Sequence, residues 1–203
     1  MGRGATDYGR RQHEKAAWLW SKRRPIVGSI AERYLREARA VTCDLPPTLA
    51  FLPPVKPAHE PAMIAAFGMV EEPEPGVLSA PIDVNSVHLT FLKPDGSGKS
   101  EDNPNKLIVG SPLARPIVLA PPNDLLGMAV TEGIEDALTA HQMTGLGAWA
   151  AGSAGFMPKL EKMPSYIEAV TIFAHPDQAG EKGAHKLARA LKLRDVDVRI
   201  EGL

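Results

Sequence analysis

The chain has 203 residues, 44% of them apolar and only 5% aromatic, with a formal net charge of −1. That length holds one sizeable core or two small domains sharing an interface, filled mostly by aliphatic side chains and alanine. No run reaches the roughly 18 apolar residues needed to cross a bilayer, and the polar, basic start has no apolar segment of a secretory signal behind it.

The lone cysteine, Cys43, can form neither an internal disulfide nor a Cys-rich zinc site, so a reducing, cytoplasmic setting and no membrane are expected. The charge is unevenly spread. Residues 1–40 carry ten Lys/Arg, among them Arg10, Arg11, Lys22, Arg23 and Arg24, against four Asp/Glu. A basic segment on a near-neutral protein suits a polyanionic partner, and it also suits a plain solvated helix face.

In chain order, the first ten residues read as disordered. Residues 13–22 read as a short helix with Ala16, Ala17, Leu19 and Trp20 on or near one face, ended by Pro25. Ser29 and Glu32 have capping-box spacing and open a second helix with Ile30, Tyr34, Leu35 and Ala38 as its apolar stripe. Residues 44–61 hold six prolines and read as an extended connector. Residues 62–70 and 87–92 read as strands. Lys93, Pro94, Asp95 and Gly96 make a turn, and residues 97–105 a polar loop. Short strands are expected at 106–109 and 116–120, which makes 44–120 a small β-rich unit closed by the Pro121–Pro122 boundary.

The texture then changes. Strands at 128–131, 147–151, 169–174 and 196–200 alternate with helices at 134–143, 157–162 and 181–192, and Gly145 stands just past the end of the first helix. The run at 169–174 is nearly all apolar, as in a parallel strand buried on both faces. A β-α-β-α-β-α-β order predicts a parallel sheet with right-handed crossovers. The expected fold class is α/β: a C-terminal parallel sheet with flanking helices over 125–203, after a smaller α+β part made of a basic helical segment (1–43) and the β-rich unit (44–124).

In such a sheet, sites form beyond the carboxyl ends of the strands. Two polar clusters fall there: Thr131-Glu132-Gly133 after the first strand, and His175-Pro176-Asp177-Gln178-Ala179-Gly180 after the third. Glu132 sits at a strand tip, and His175 and Asp177 are two apart in an extended segment. Phosphoryl and nucleotidyl transfer need divalent cations to neutralise phosphate charge, and Mg²⁺ needs only one or two carboxylates besides water and substrate phosphates. A nearby glutamate can serve as general acid or base.

The run Val130-Thr131-Glu132-Gly133-Ile134-Glu135-Asp136-Ala137, followed about 40 residues later by a strand and Pro-Asp-x-Ala-Gly, resembles the Toprim domain of primases, topoisomerases, small nucleases and recombination mediators. The likeness covers about the last 75 residues and is nearest to primase-like Toprim proteins of phages, plasmids and integrated elements. A weaker likeness covers residues 25–35 and the β-rich unit after them; in primases an equivalent subdomain contributes to a groove for the template. The resemblance implies Glu132 as acid/base, Asp177 as the second aspartate of a DxD metal motif and Gly180 as the glycine after it. Position 175, where the first aspartate belongs, holds His175. Histidine binds Mn²⁺ or Zn²⁺ and is a poor Mg²⁺ ligand, which leaves open a softer metal, a weaker site or an inactive one.

The resemblance thus implies primase-like, metal-dependent nucleotidyl transfer in DNA replication, with Mg²⁺ or Mn²⁺ at Glu132, Asp177 and His175. Single-stranded DNA and nucleotides would be the partners, a helicase supplied in trans being compatible. Arg23, Arg24, Lys99 and Lys106 are the candidate nucleic-acid contacts. A Toprim nuclease and a catalytically degenerate nucleic-acid-binding module are the alternatives. Other features read as structural. Glu135 and Asp136 belong to a solvated helix face, His141 and His185 to surface or satisfied positions, and Lys182, Lys186, Arg189 and Lys192 to one solvated face. Trp149 reads as core. Residues 96–100 end in Gly-Lys-Ser but lack P-loop spacing, since position 94 is proline.

Overall fold

The structure, a computed structural model, describes residues 3–54, 56, 59–101 and 104–202. The first two residues of the basic start, Pro57 of the proline-rich stretch and residues 102 and 103 of the polar loop lie outside the described residues. The chain divides into two compact units, residues 1–68 with 80–113, and residues 69–79 with 114–203.

The first unit is an antiparallel sheet in the order β1-β2-β3-β4, formed by β1 (Leu49–Leu52), β2 (Ala62–Ala66), β3 (Ser86–Phe91) and β4 (Lys106–Gly110). Helix α1 (Arg3–Ser21) lies against β3 and β4. Its residues Ala16, Leu19 and Trp20 share a core with Ala50, Ile64, Val87, Leu89 and Val109 from one face of the sheet. Ala17, expected near that stripe, is exposed. The helix begins at Arg3, not after a disordered start, and ion pairs such as Arg11–Asp7 at 2.9 Å support it from residue 7 onward.

Ser29 caps the short α2 (Ile30–Arg33), accepting from the amides of Ala31 and Glu32, while the Glu32 carboxylate reaches back to the Gly28 amide at 2.6 Å. The expected single helix then widens into a π-helical turn, Tyr34–Ala38, which buries the adjacent Tyr34 and Leu35 and leaves Ala38 exposed. β1 is a correction to the connector expected at 44–61. Its four residues fit between Pro47 and Pro53, and neither proline has to supply a ladder amide. The turn after β3 is as expected: Gly96 has φ +73 and donates to Lys93 O at 2.9 Å.

The second unit is a five-stranded sheet in the order β5-β7-β6-β8-β9. Its strands are β5 (Ile117–Ala120), β6 (Gly127–Thr131), β7 (Gly147–Ala150), β8 (Ala169–Ala174) and β9 (Asp197–Gly202). The last four run parallel, and β5 is antiparallel to β7. β5 was expected in the β-rich unit, and its hydrogen bonds place it in this second sheet instead. Helix α3 (Ile134–Thr144) packs on β5, β6 and β7. On the other face, a 3-10 helix (Met157–Lys162) and α4 (Gln178–Lys192) enclose the main core with Met128, Val130, Trp149, Val170 and Ile172. β8 is a partial correction. Val170, Ile172 and Ala174 are buried, but Ala169, Thr171 and Phe173 are half-buried, because α3 covers β5, β6 and β7 and leaves their face of β8 less screened.

This strand order contains a switch point. The chain leaves β6 through α3 to reach β7 on one side, then returns past β6 to β8 on the other. The crevice outside the carboxyl ends of two strands that diverge in this way is where open α/β sheets bind ligands.

Candidate functional site

Glu132 and His175 follow the carboxyl ends of β6 and β8, the two strands that flank the switch point. The register pairs Val130 with Ile172. Two residues further on, Glu132 falls level with Ala174, one residue before His175, on strands spaced about 4.8 Å apart.

Each tip is shaped by its backbone. At the β6 tip the main-chain oxygens of Thr131 and Glu132 accept from Ala151 and Gly152 at 2.9 Å each, tying the turn to the end of β7. Thr131, fully buried, donates its hydroxyl to Gly133 O at 2.7 Å. Gly133 is the α3 cap residue and offers no side chain to the helix amides. A Cβ there would meet the Asp136 carboxylate at 2.7 Å, so the first-turn acids fold back over the turn. The half-buried Glu132 carboxylate has no hydrogen-bond partner among the described residues.

At the β8 tip Asp177 is the N-cap of α4 and accepts from the Gly180 amide at 2.7 Å through Oδ1. Its Oδ2 lies 3.2 Å from His175 Nδ1. The bond from Gly180 holds the Asp177 carboxyl below its ordinary value, with the His175 ring adding to the effect. Gly180 is required by close approach: a Cβ there would lie 2.6 Å from His175 O. The helix therefore starts three residues earlier than expected, at Gln178, because Asp177 caps it.

Glu132, His175 and Asp177 thus share one edge of the sheet. They do not form a closed cage: among the described residues no three His, Cys, Asp or Glu side chains gather as a set able to hold a metal ion. The donors still fit a divalent ion completed by water and substrate phosphates, since carboxylates at adjacent strand tips are what Mg²⁺ or Mn²⁺ takes from a protein. His175 offers an imidazole at the position where the resemblance expects the first aspartate of the motif.

The sequence reading missed Thr131, which pins the turn, and misplaced Glu135. That side chain is only 7% exposed, not on a solvated face. The other structural readings hold: Trp149 is core, His185 is exposed, and His141 Nδ1 lies 2.6 Å from Leu146 O.

The candidate nucleic-acid contacts all lie in the first unit, and they do not form one cluster. The Arg23 guanidinium stacks on the Trp20 ring at 4.2 Å and donates to Trp20 O, closing the end of α1. Arg24 pairs through its backbone with Phe51, and the register row continues through Met63 and Thr90 to Lys106. Arg24 and Lys106 are therefore exposed at opposite edges of the sheet, about 19 Å apart at 4.8 Å per strand. Lys99 is half-buried in the loop that bridges back to Leu92.

Comparison with known proteins adds to this geometry. Residues 10–119 match the family described as "Domain of unknown function (DUF7146)", and residues 127–201 match the Toprim domain. The chain is a Toprim-domain protein of the DUF7146 family. The Toprim domain ties it to nucleic-acid chemistry of the primase or nuclease type, and Toprim domains in general bind divalent metals. Among solved structures the chain is similar to the primase fragment of the bacteriophage T7 primase-helicase protein, with 17% identity and a TM-score of 0.48. The match covers 75% of this chain and 56% of that one, so the chain spans little more than half of the fragment. No curated protein matches the sequence. Among the described residues no helix is long and apolar enough to cross a membrane.

Proposed function

We propose that this Toprim protein is a primase-like nucleotidyltransferase acting on single-stranded DNA. The observation that carries this reading is Glu132. It is a half-buried carboxylate without a hydrogen-bond partner among the described residues, held at the tip of the central strand and level with the end of β8.

In this reading Glu132 is the general base. The attacking hydroxyl oxygen bonds to the α-phosphorus of a nucleoside triphosphate, the bond to the pyrophosphate oxygen breaks, and Glu132 takes the proton. Asp177 and His175, beside Glu132, would hold a divalent ion, Mg²⁺ or Mn²⁺, which would supply neutralisation of the phosphate charge and activation of the attacking oxygen. Arg24 and Lys106 are candidate phosphate contacts on the first unit by itself. A helicase supplied in trans would extend the activity along a duplex.

The test is incorporation of labelled nucleotides on single-stranded DNA in Mg²⁺ and in Mn²⁺. The wild type is expected to synthesise, and to do so better in Mn²⁺. Glu132→Gln is expected to lose at least about 100-fold, the lower range for removing a general base. His175→Asp is expected to move the optimum towards Mg²⁺. Full turnover by Glu132→Gln would sink the reading. Loss of labelled DNA without added nucleotides would replace it with a nuclease, and binding with no metal dependence would replace it with a degenerate module.

A further inference from the structure

Helix α1 presents one flank that neither its core packing nor the candidate site uses. Tyr8, Arg11, Lys15, Trp18 and Lys22 recur at steps of three, four, three and four, so they form a single stripe, with Lys22 one residue past the helix. All five are exposed, Tyr8 at 67% and Trp18 at 47%. From Tyr8 to Lys22 the stripe rises through fourteen residue steps, about 21 Å at 1.5 Å per residue. Lys22 Nζ lies 5.8 Å from the Trp18 ring centroid. Arg11 leans on Asp7 at 2.9 Å, and Lys15 has no ion-pair partner among the described residues.

We infer that this flank is a track for single-stranded nucleic acid, with bases stacking on Trp18 and Tyr8 and phosphates contacting Arg11, Lys15 and Lys22. The inference rests on the nucleic-acid reading above and gives it a second, separate surface. The chemistry of the stripe selects the occupant. Interleaved cations and exposed rings are what a flexible polyanion with flat bases requires. A partner helix would seek aliphatic anchors at i, i+3, i+4 and i+7. A membrane surface would seek a continuous apolar face. The stripe has neither, because Ala16 and Leu19 of α1 are committed to the sheet.

The molecule carries its own probe. Of its three tryptophans, Trp20 and Trp149 are 6% and 3% exposed, so Trp18 alone is placed to meet a ligand. Tryptophan emission of the full chain would be titrated with an oligothymidylate and, separately, with vesicles of anionic lipid. The oligonucleotide is expected to quench saturably, with an affinity that falls steeply with salt. Trp18→Ala is expected to abolish the quench and, by fluorescence anisotropy of labelled DNA, to weaken binding about tenfold, as for one lost base stack. Lys15→Glu with Lys22→Glu is expected to weaken binding at least as much while keeping the quench at saturation. Far-ultraviolet circular dichroism checks that α1 persists in each variant. No quench by the oligonucleotide, quench by vesicles alone, or unchanged DNA binding in the charge-reversed variant would overturn the inference. Failure here with Glu132-dependent synthesis intact would leave the proposed function standing. Quenching without any metal-dependent chemistry would do the opposite.

Discussion

At the tip of β8 the polar residue has a structural duty. Asp177 caps α4 with one oxygen and meets His175 with the other. At the tip of β6 the cap position is Gly133, which has no side chain, and the neighbouring Glu132 carboxylate has no hydrogen-bond partner among the described residues. Both tips precede a helix on the same edge of one sheet, so topology does not explain the difference. An aspartate that caps a helix is accounted for by folding alone. A half-buried glutamate with no structural partner is not, and its presence asks for a chemical reason.

The sharpest way to break this comparison is to remove each carboxylate in turn. Glu132→Gln keeps the shape of the β6 tip, whose contacts run through backbone atoms and Thr131. Its melting temperature is expected to match the wild type while turnover falls at least about 100-fold. A lower melting temperature would mean that Glu132 serves the fold, and the contrast between the tips would fail.

Gly180→Ala attacks the β8 tip sterically. The added methyl would sit 2.6 Å from His175 O, a backbone atom that cannot swing aside. The expected loss is about 2–3 kcal/mol, the upper range for overpacking, measured by chemical denaturation. The glycine of Pro-Asp-x-Ala-Gly is then a packing requirement whatever the catalytic outcome. A wild-type midpoint would show that the turn can relax.

Much of this was legible in the sequence because it is local. The second sheet's strands and helices follow from apolar period and punctuation, and Gly145 ends α3 with φ +68 as its position suggested. What was not legible depended on distant partners. β5 looks like any short strand, and only its pairing with β7 assigns it to the second sheet. β1 was hidden by composition, since prolines around a strand read the same as prolines throughout a connector. Glu135 was placed on the surface because a charged residue in the first turn of a helix is usually solvated, yet it is 7% exposed. Glu132 and Asp177 were found as motif letters. That one is a helix cap and the other is not became clear only from the bonds they make.

His175 sharpens the comparison from the other side. His175→Asp leaves the cap from Asp177 to Gly180 in place and puts a carboxylate where the imidazole now meets Asp177. Mn²⁺ binding, followed by electron paramagnetic resonance of the free ion, is expected to persist. Mg²⁺ is expected to compete better in the variant than in the wild type, because the hard ion gains an oxygen donor. Equal competition in both proteins would remove position 175 from the metal-binding reading.

The smallest expected effect separates capping from charge at Asp177. Asparagine caps a helix about as well as aspartate, and alanine does not. Asp177→Ala should therefore melt below the wild type at neutral pH, and Asp177→Asn should lie between them. The pH dependence fixes the sign. The folded carboxyl is held below its ordinary value, chiefly by the Gly180 amide, so the ionised form is the one the fold favours. Its stabilising contribution is present above the unfolded value of about 3.9 and is lost as pH falls through the lower folded value. The wild type should lose stability relative to Asp177→Asn only below about pH 4. No relative loss below about pH 4 would mean that the ionised carboxylate does not hold the cap, and the cap would no longer account for Asp177.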